Sequence, residues 1–253
     1  MDSARYIEDN LNSLEIQDFT DFEIIFVDGG SKDDTVALIH KFMRDKTFMY
    51  HIVFESSGLC NSMNKGILES RGEFVTFLNS DDMYVNKHSI KNLFESVVKT
   101  QSDVIYGRCL ILSRGKVVKS YPAVNHSRKL LIFMNFIPHP TTIIRKTLFF
   151  KYGLYNSVYQ FNFDYEFWIR ISQDTRVKFF YLSLPISYFR IHSESISFTK
   201  RKSIIKSNLK MRTNFKNSRI YRFCFRILFL RDLIWTRYLE FIELTKVFLL
   251  PRK

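Results

Sequence analysis

The chain has 253 residues, 46% hydrophobic and 25% charged, a globular composition whose length allows one large domain or two small ones. Three cysteines, Cys60, Cys109 and Cys224, with no CxxC spacing argue against a disulfide framework or a zinc ribbon and fit a reducing cytosol. The net charge of +13 is uneven: residues 1–200 hold 24 Lys and Arg against 22 Asp and Glu, whereas residues 201–253 hold 14 against three. No leader-like segment opens the chain, and no run approaches the roughly 18 uncharged apolar residues of a membrane span, which argues against a secreted or polytopic membrane protein.

Taken in order, Ile7, Leu11 and Leu14 repeat at helical spacing and predict an amphipathic helix over 4–14. Glu23–Val27 reads as a buried strand ending in the turn Asp28-Gly29-Gly30-Ser31. Val36, Ile39, Phe42 and Met43 mark a second helix, 51–54 a strand, and 60–70 a helix that stops before Gly72. A strand over 73–78 runs into Asn79-Ser80-Asp81-Asp82, and helix 89–98 and strand 103–106 follow. This alternation predicts an α/β fold with a mostly parallel central sheet and helices on both faces. Such sheets bind ligands at the carboxyl ends of their strands, where Asp28 and Asp81 both fall. Beyond residue 107 the alternation fades.

The last 53 residues read as a basic, aromatic-rich helical extension of the body 1–200. Arg219, Arg222, Arg226 and Arg237 share one side of a helical projection, with apolar residues over much of the rest. That pattern suits an anionic membrane surface, and the plainer reading is a helical pair packed on the body. No nucleic-acid motif accompanies the charge.

Two acidic strand ends, one with adjacent carboxylates, suit a hard divalent cation carrying a diphosphate, since magnesium and manganese take oxygen ligands. No GxGxxG or Walker-type loop is present, which argues against a dinucleotide enzyme or a P-loop kinase. The order of four segments then carries a resemblance. Phe22–Thr35, around Val27-Asp28-Gly29-Gly30-Ser31, resembles the first nucleotide-binding segment of family 2 glycosyltransferases. Gly58–Ile67 is similar to a helix start in their exopolysaccharide, capsule and lipopolysaccharide members. Phe77–Asp82 sits where they carry the metal-binding DxD motif, and Asn162–Arg170 resembles the segment of their catalytic base.

The resemblance implies a Rossmann-like GT-A fold and an inverting transfer of a sugar from a nucleotide-diphosphate donor, with uracil the expected base. It implies a glycan or lipid-linked acceptor in surface-polysaccharide synthesis, at the inner face of the membrane. Asp28 would bond the donor's base, with Asn61, Asn79 and His139 also at the donor. Asp81 would bind Mg2+ or Mn2+, with Asp82 ligating or orienting beside it, and Asp164 would be the general base. Plainer roles stand beside these: Asp28 stabilising its own turn, Asp164 capping a helix, His139 a hydrogen-bonded structural histidine. His192 would lie on a loop over the donor phosphates, Arg170 would anchor its helix, and Trp168 and most phenylalanines would fill core.

The sequence departs from the family pattern in several places. A first strand and its turn have no counterpart before the first helix, and such a strand is central in this fold. Its absence predicts two unpaired edges and an open core, from an internal start or a degraded gene. Asn79 replaces the first acid of the metal motif, Asn61 stands where an aspartate is usual, and Ser56 where an acid is frequent. A non-catalytic binding module is therefore the alternative to an enzyme. A nucleotidyltransferase is a third reading, but its Gly- and Arg-rich signature is not found.

Overall fold

The computed structural model describes residues 1–44, 49–193, 195, 199–200, 203–204, 207–208 and 211. Its first helix, Ile7–Glu15 (α1), turns Ile7 and Leu11 against Ile39 and Met43 of the second, Thr35–Met43 (α2). Between them in sequence runs strand Glu23–Asp28 (β1), which pairs in parallel with Met49–Phe54 (β2) from Glu23↔Met49 to Asp28↔Phe54. The helix pair packs on this ribbon through Phe26, Tyr50 and Ile52. Helix Leu59–Glu69 (α3) follows and lies against β1, where a Cβ on Gly66 would stand 3.4 Å from Val27.

The chain then builds a second sheet from Phe74–Thr76 (β3), Met83–Tyr84 (β4), Val104–Ser113 (β5), Lys116–Ser120 (β6), Thr142–Arg145 (β7) and Phe179–Ile191 (β8). Its order is β3-β7-β5-β8-β4, with β6 paired to β5. Helices Ser89–Thr100 (α4), Arg128–Phe133 (α5), Thr147–Tyr152 (α6) and Phe163–Ile171 (α7) fill the connections. The α/β class stands, but the expectation of a mostly parallel sheet does not. Only β1·β2 and β5·β8 are parallel, and every other described pairing is antiparallel. A parallel neighbour needs a crossover of a dozen or more residues, and after β5 the chain turns straight back through the two-residue loop Arg114-Gly115.

Among the described residues β1 pairs only with β2 and β3 only with β7, so the two sheets meet without a shared strand. Side chains bridge them instead. Glu23 Oε1 accepts from the N–H groups of Arg71 (2.5 Å) and Gly72 (3.2 Å), just before β3. One core nonetheless spans both sheets, joining Ile24 of β1 to Tyr84, Leu93, Ile105, Ile143 and Ile186. In β5, Gly107 is obligatory, because a Cβ there would come within 2.3 Å of Ile186 Cγ1 and 2.9 Å of the Leu184 carbonyl.

These elements belong to a compact unit, Met1–His192, with Ser193–Lys253 forming a second. The expected basic helical tail over 201–253 lies outside the described residues apart from five positions. Among the described residues no helix is long and apolar enough to cross a membrane.

Candidate active site

The turn after β1 is held by its own aspartate. Asp28 Oδ2 accepts from the N–H groups of Gly30 (2.8 Å) and Ser31 (2.9 Å), and Oδ1 accepts from the Ser31 hydroxyl (2.6 Å). Partial burial pulls its pKa upward, but these hydrogen bonds win and hold it below the usual carboxylate value. Asp28 thus does stabilise its turn, while Oδ1 keeps room for a further donor.

A short N-terminal strap ties this turn to the acidic turn after β3. The Ser3 N–H donates to Thr35 Oγ1 (2.7 Å), and the Ser3 and Ser80 hydroxyls lie 2.7 Å apart. Helix α1 grips the acidic turn itself. The buried Asn10 donates through Nδ2 to the carbonyls of Asn79 (2.8 Å) and Asp82 (2.9 Å). The two aspartates of that turn then part company. Asp82 is 1% exposed, and its carboxylate accepts from the Arg190 N–H (3.0 Å) and the Asn79 amide (3.0 Å). Burial, and next the charge of Asp81, raise its pKa well above the usual value. Asp81 stays partly exposed and lies 3.1 Å from His192 Nε2. Arg190 backs the turn, donating through Nε to the Asp81 carbonyl (3.1 Å) and through its guanidinium to Asp9 (2.6 Å).

These donors define how a divalent cation fits. Asp81 and His192 converge from two elements, whereas the Asp82 carboxylate is already engaged by protein donors. Among the described residues no group of three or more His, Cys, Asp or Glu side chains is gathered. An ion there would depend on ligand oxygens to complete its shell, as magnesium commonly does with phosphates.

The third cluster surrounds the start of α7. Asp164 sits in its first turn and accepts from the helix N–H groups of Tyr165 and of Asp164 itself, and from the Asn135 side chain. Burial outweighs those bonds and pushes its pKa up to about 6. The helix is clamped by Arg170, which meets both oxygens of the buried Glu166 (2.9 Å each) and the carbonyls of Tyr152, Gly153 and Leu154. That bears out its anchoring role. Cys60 of α3 lies close enough for the Glu166 and Asp164 charges to add to the burial that lifts its thiol to about 11.

His139 stacks on Phe77 at 4.6 Å and bonds the Tyr155 hydroxyl through Nε2 (2.9 Å). Burial lowers its pKa to about 3, so it is neutral at working pH and brings no positive charge. Asn61 reaches back to Ser57, Nδ2 to Oγ at 2.9 Å, across the turn where Gly58 takes a positive φ. Asn79, as described, serves Asp82. The structure therefore joins the Asp28 and Asp81 turns through residues 2–4, and sets Asp164 beside α3.

Sequence reasoning does not single out Asn10, Asn64 or Arg190. Asn64 locks the loop after α6, donating to the Tyr155 carbonyl (2.9 Å) and accepting its N–H (3.0 Å). Asn10 left a legible signal, since it falls on the Ile7, Leu11, Leu14 stripe, where a polar residue must find buried partners.

Comparison with known proteins agrees with this architecture. The model of the family described as "Glycosyl transferase family 2" matches residues 2–155, and the chain belongs to that family. The match ends before Asp164. Over 106 residues the chain is 35% identical to the poly(ribitol-phosphate) beta-N-acetylglucosaminyltransferase TarS of Staphylococcus aureus, covering 41% of this chain and 18% of TarS. It therefore spans less than a fifth of that relative. The O-antigen biosynthesis glycosyltransferase WbnJ of Escherichia coli is 25% identical over 236 residues, 87% of this chain and 91% of WbnJ. Among solved structures, TarS 1–349 in complex with UDP-GlcNAc superposes with a TM-score of 0.66 at 20% identity, covering 91% of this chain and 68% of that one. The mannosyltransferase PcManGT from Pyrobaculum calidifontis, in complex with GDP-Man and Mn2+, gives 0.64 at 11% identity, over 93% and 72%. The fold is GT-A.

Proposed function

We propose that this chain transfers a sugar, with inversion, from a nucleotide-diphosphate donor to a glycan or lipid-linked acceptor in surface-polysaccharide synthesis. The observation that carries the reading is the contrast between two carboxylates. Asp81 stands partly exposed opposite His192, while Asp164 sits in an apolar setting that keeps its proton to about pH 6. A carboxyl group that burial keeps protonated this far suits proton transfer, whereas one left partly exposed beside an imidazole suits a cation. The names of the relatives favour the substrate classes: a polyol-phosphate polymer for TarS and an O-antigen for WbnJ.

In this reading Asp28 receives the N–H of the donor's base through Oδ1, and Asn61 and His139 border the donor pocket. Asp81 and His192 would hold the divalent cation, and Asp82, fixed by Arg190 and Asn79, would orient Asp81. When bound, Mg2+ or Mn2+ would supply charge neutralisation for the departing diphosphate. Asp164 takes the proton of the attacking hydroxyl as that oxygen closes on the anomeric carbon from the face opposite the diphosphate. The domain division at residue 200, and a peripheral membrane role for residues 201–253, belong to the same proposal.

Calorimetric titration with UDP, with and without manganese, tests it first. Manganese-dependent binding is expected, abolished by Asp81→Ala and kept by Asp164→Asn, which should stop turnover with a competent donor. Metal-independent UDP affinity, or turnover surviving in Asp164→Asn, would sink the assignment. A second reading, nucleotide binding without transfer, draws on the break between the two sheets beside the Asp28 turn. UDP binding with no product from any donor would favour it.

A further inference from the structure

The charge of the body is divided along the chain. Residues 1–103 carry 18 acids and 10 Lys or Arg, whereas residues 104–163 carry nine Lys or Arg and no acid at all. Several of the nine are tied down: Arg145 pairs with Glu73 and Asp103, and Lys151 with Asp174. Three are not. Arg114, Lys116 and Lys119, on the β5–β6 hairpin, are exposed, and no ion pair engages them among the described residues.

The same hairpin presents two valines to solvent, Val117 at 51% and Val118 at 57% exposure. All of β6 is exposed, so neither face of this strand is covered. Its tip is a two-residue loop in which Arg114 and Gly115 both take positive φ, 49° and 74°. Such loops favour Asn-Gly or Gly-Gly, and an arginine held there costs conformational energy. The chain thus spends strain to put a cation at the tip. The position of the tip also matters. Leu112 pairs with Arg190 and Ser113 with Ile191, the residues just before His192, so the tip that follows Ser113 lies at the sheet end that carries the Asp81 turn.

We propose that the β5–β6 hairpin docks this protein on an anionic lipid surface, Arg114, Lys116 and Lys119 meeting headgroup phosphates while Val117 and Val118 enter the interface. Cations alone would suit any polyanion, but two exposed valines among them fit a surface that has both charge and an apolar layer. Docked this way, the end of the sheet with Asp81 lies beside the membrane. The purpose of the contact rests on the lipid-linked acceptor reading above; the contact itself does not. The competing use of lysines on an exposed edge strand is to block edge-to-edge pairing.

The test is sedimentation of the full chain with phosphatidylcholine vesicles, with and without 30 mol% phosphatidylglycerol. UDP binding and thermal melting serve as parallel controls for the nucleotide site and the fold. Wild type should bind only the anionic vesicles. Arg114→Gln/Lys116→Gln/Lys119→Gln should lower the partition coefficient at least tenfold, since each cation near such a surface contributes about fivefold. Val117→Ser/Val118→Ser should lower the part of the binding that survives 0.5 M salt. Vesicle binding unchanged in both variants overturns the proposal. So does a loss in the charge variant matched on soluble polyphosphate while the valine variant binds like wild type, which would assign the cations to a soluble polyanion. Variants that bind vesicles normally but self-associate would assign the lysines to edge protection, and also overturn it. If UDP fails to bind while vesicle binding behaves as stated, the transferase reading falls and the docking surface stands.

Discussion

Asp164 concentrates the tension between stability and chemistry in one side chain. Its pKa of about 6 lies above the 3.8 of a free aspartate, so the folded state disfavours its ionisation. The penalty is absent below about pH 4, grows as the pH rises, and is complete above about pH 6, the reverse of a salt-bridged acid. Asp164→Asn should therefore stabilise the protein at pH 7.5, by up to about 3 kcal/mol, and leave it nearly unchanged at pH 4. Denaturation of both proteins at the two pH values measures this; equal gains at both would mean that the burial is not electrostatic in effect. As a base, the same group should give wild type a kcat/KM that falls tenfold per pH unit below about 6. Asp28 shows the opposite balance: three local hydrogen bonds hold its charge, and its turn, in place.

At the scale of elements, the close approach of β5 and β8 is the least tolerant feature. Gly107→Ala would drive a methyl into Ile186 and the Leu184 carbonyl, and the second of these is backbone that cannot swing aside. Overpacking of this kind costs about 1–3 kcal/mol, a fall of roughly 3–10 °C in Tm. A variant melting with wild type would show that β8 shifts freely. The alternation of apolar runs and helical stripes made α1 to β3 legible, although β1, expected as a buried strand, buries only Ile24 and β2 buries no residue fully. The region after β5 was not legible in the same way. Its antiparallel pairings join residues far apart, such as Tyr106 with Thr142, and no local period records a long-range partner. The site divides similarly. Asp28, Asp81 and Asp164 announce themselves by sitting at element ends, whereas Arg190 matters only because β8 brings it back to the Asp81 turn.

At the scale of the whole molecule, the chain's identity was carried by the order of four short segments and its architecture by the fold comparison, while the hairpin's role follows from neither. The division into two sheets has its own consequence, in the kinetics of opening. A two-stranded ribbon is marginal by itself, and β1–β2 is joined to the larger sheet by packing and by side-chain bridges at Glu23 and Ser3, not by a ladder of backbone bonds. Regions tied in this way open below the global unfolding free energy. Amides of Ile24–Asp28 and Tyr50–Phe54 should exchange with deuterium well before those buried between β5 and β8. A nucleotide gripping both the Asp28 and Asp81 turns would then act as a stitch across the seam. At a hundred times its Kd, UDP should slow exchange in the ribbon about a hundredfold, and should slow β5 by as much wherever its amides exchange through global unfolding. Ribbon amides that exchange no faster than those of β5 without ligand would mean that the ribbon never opens alone.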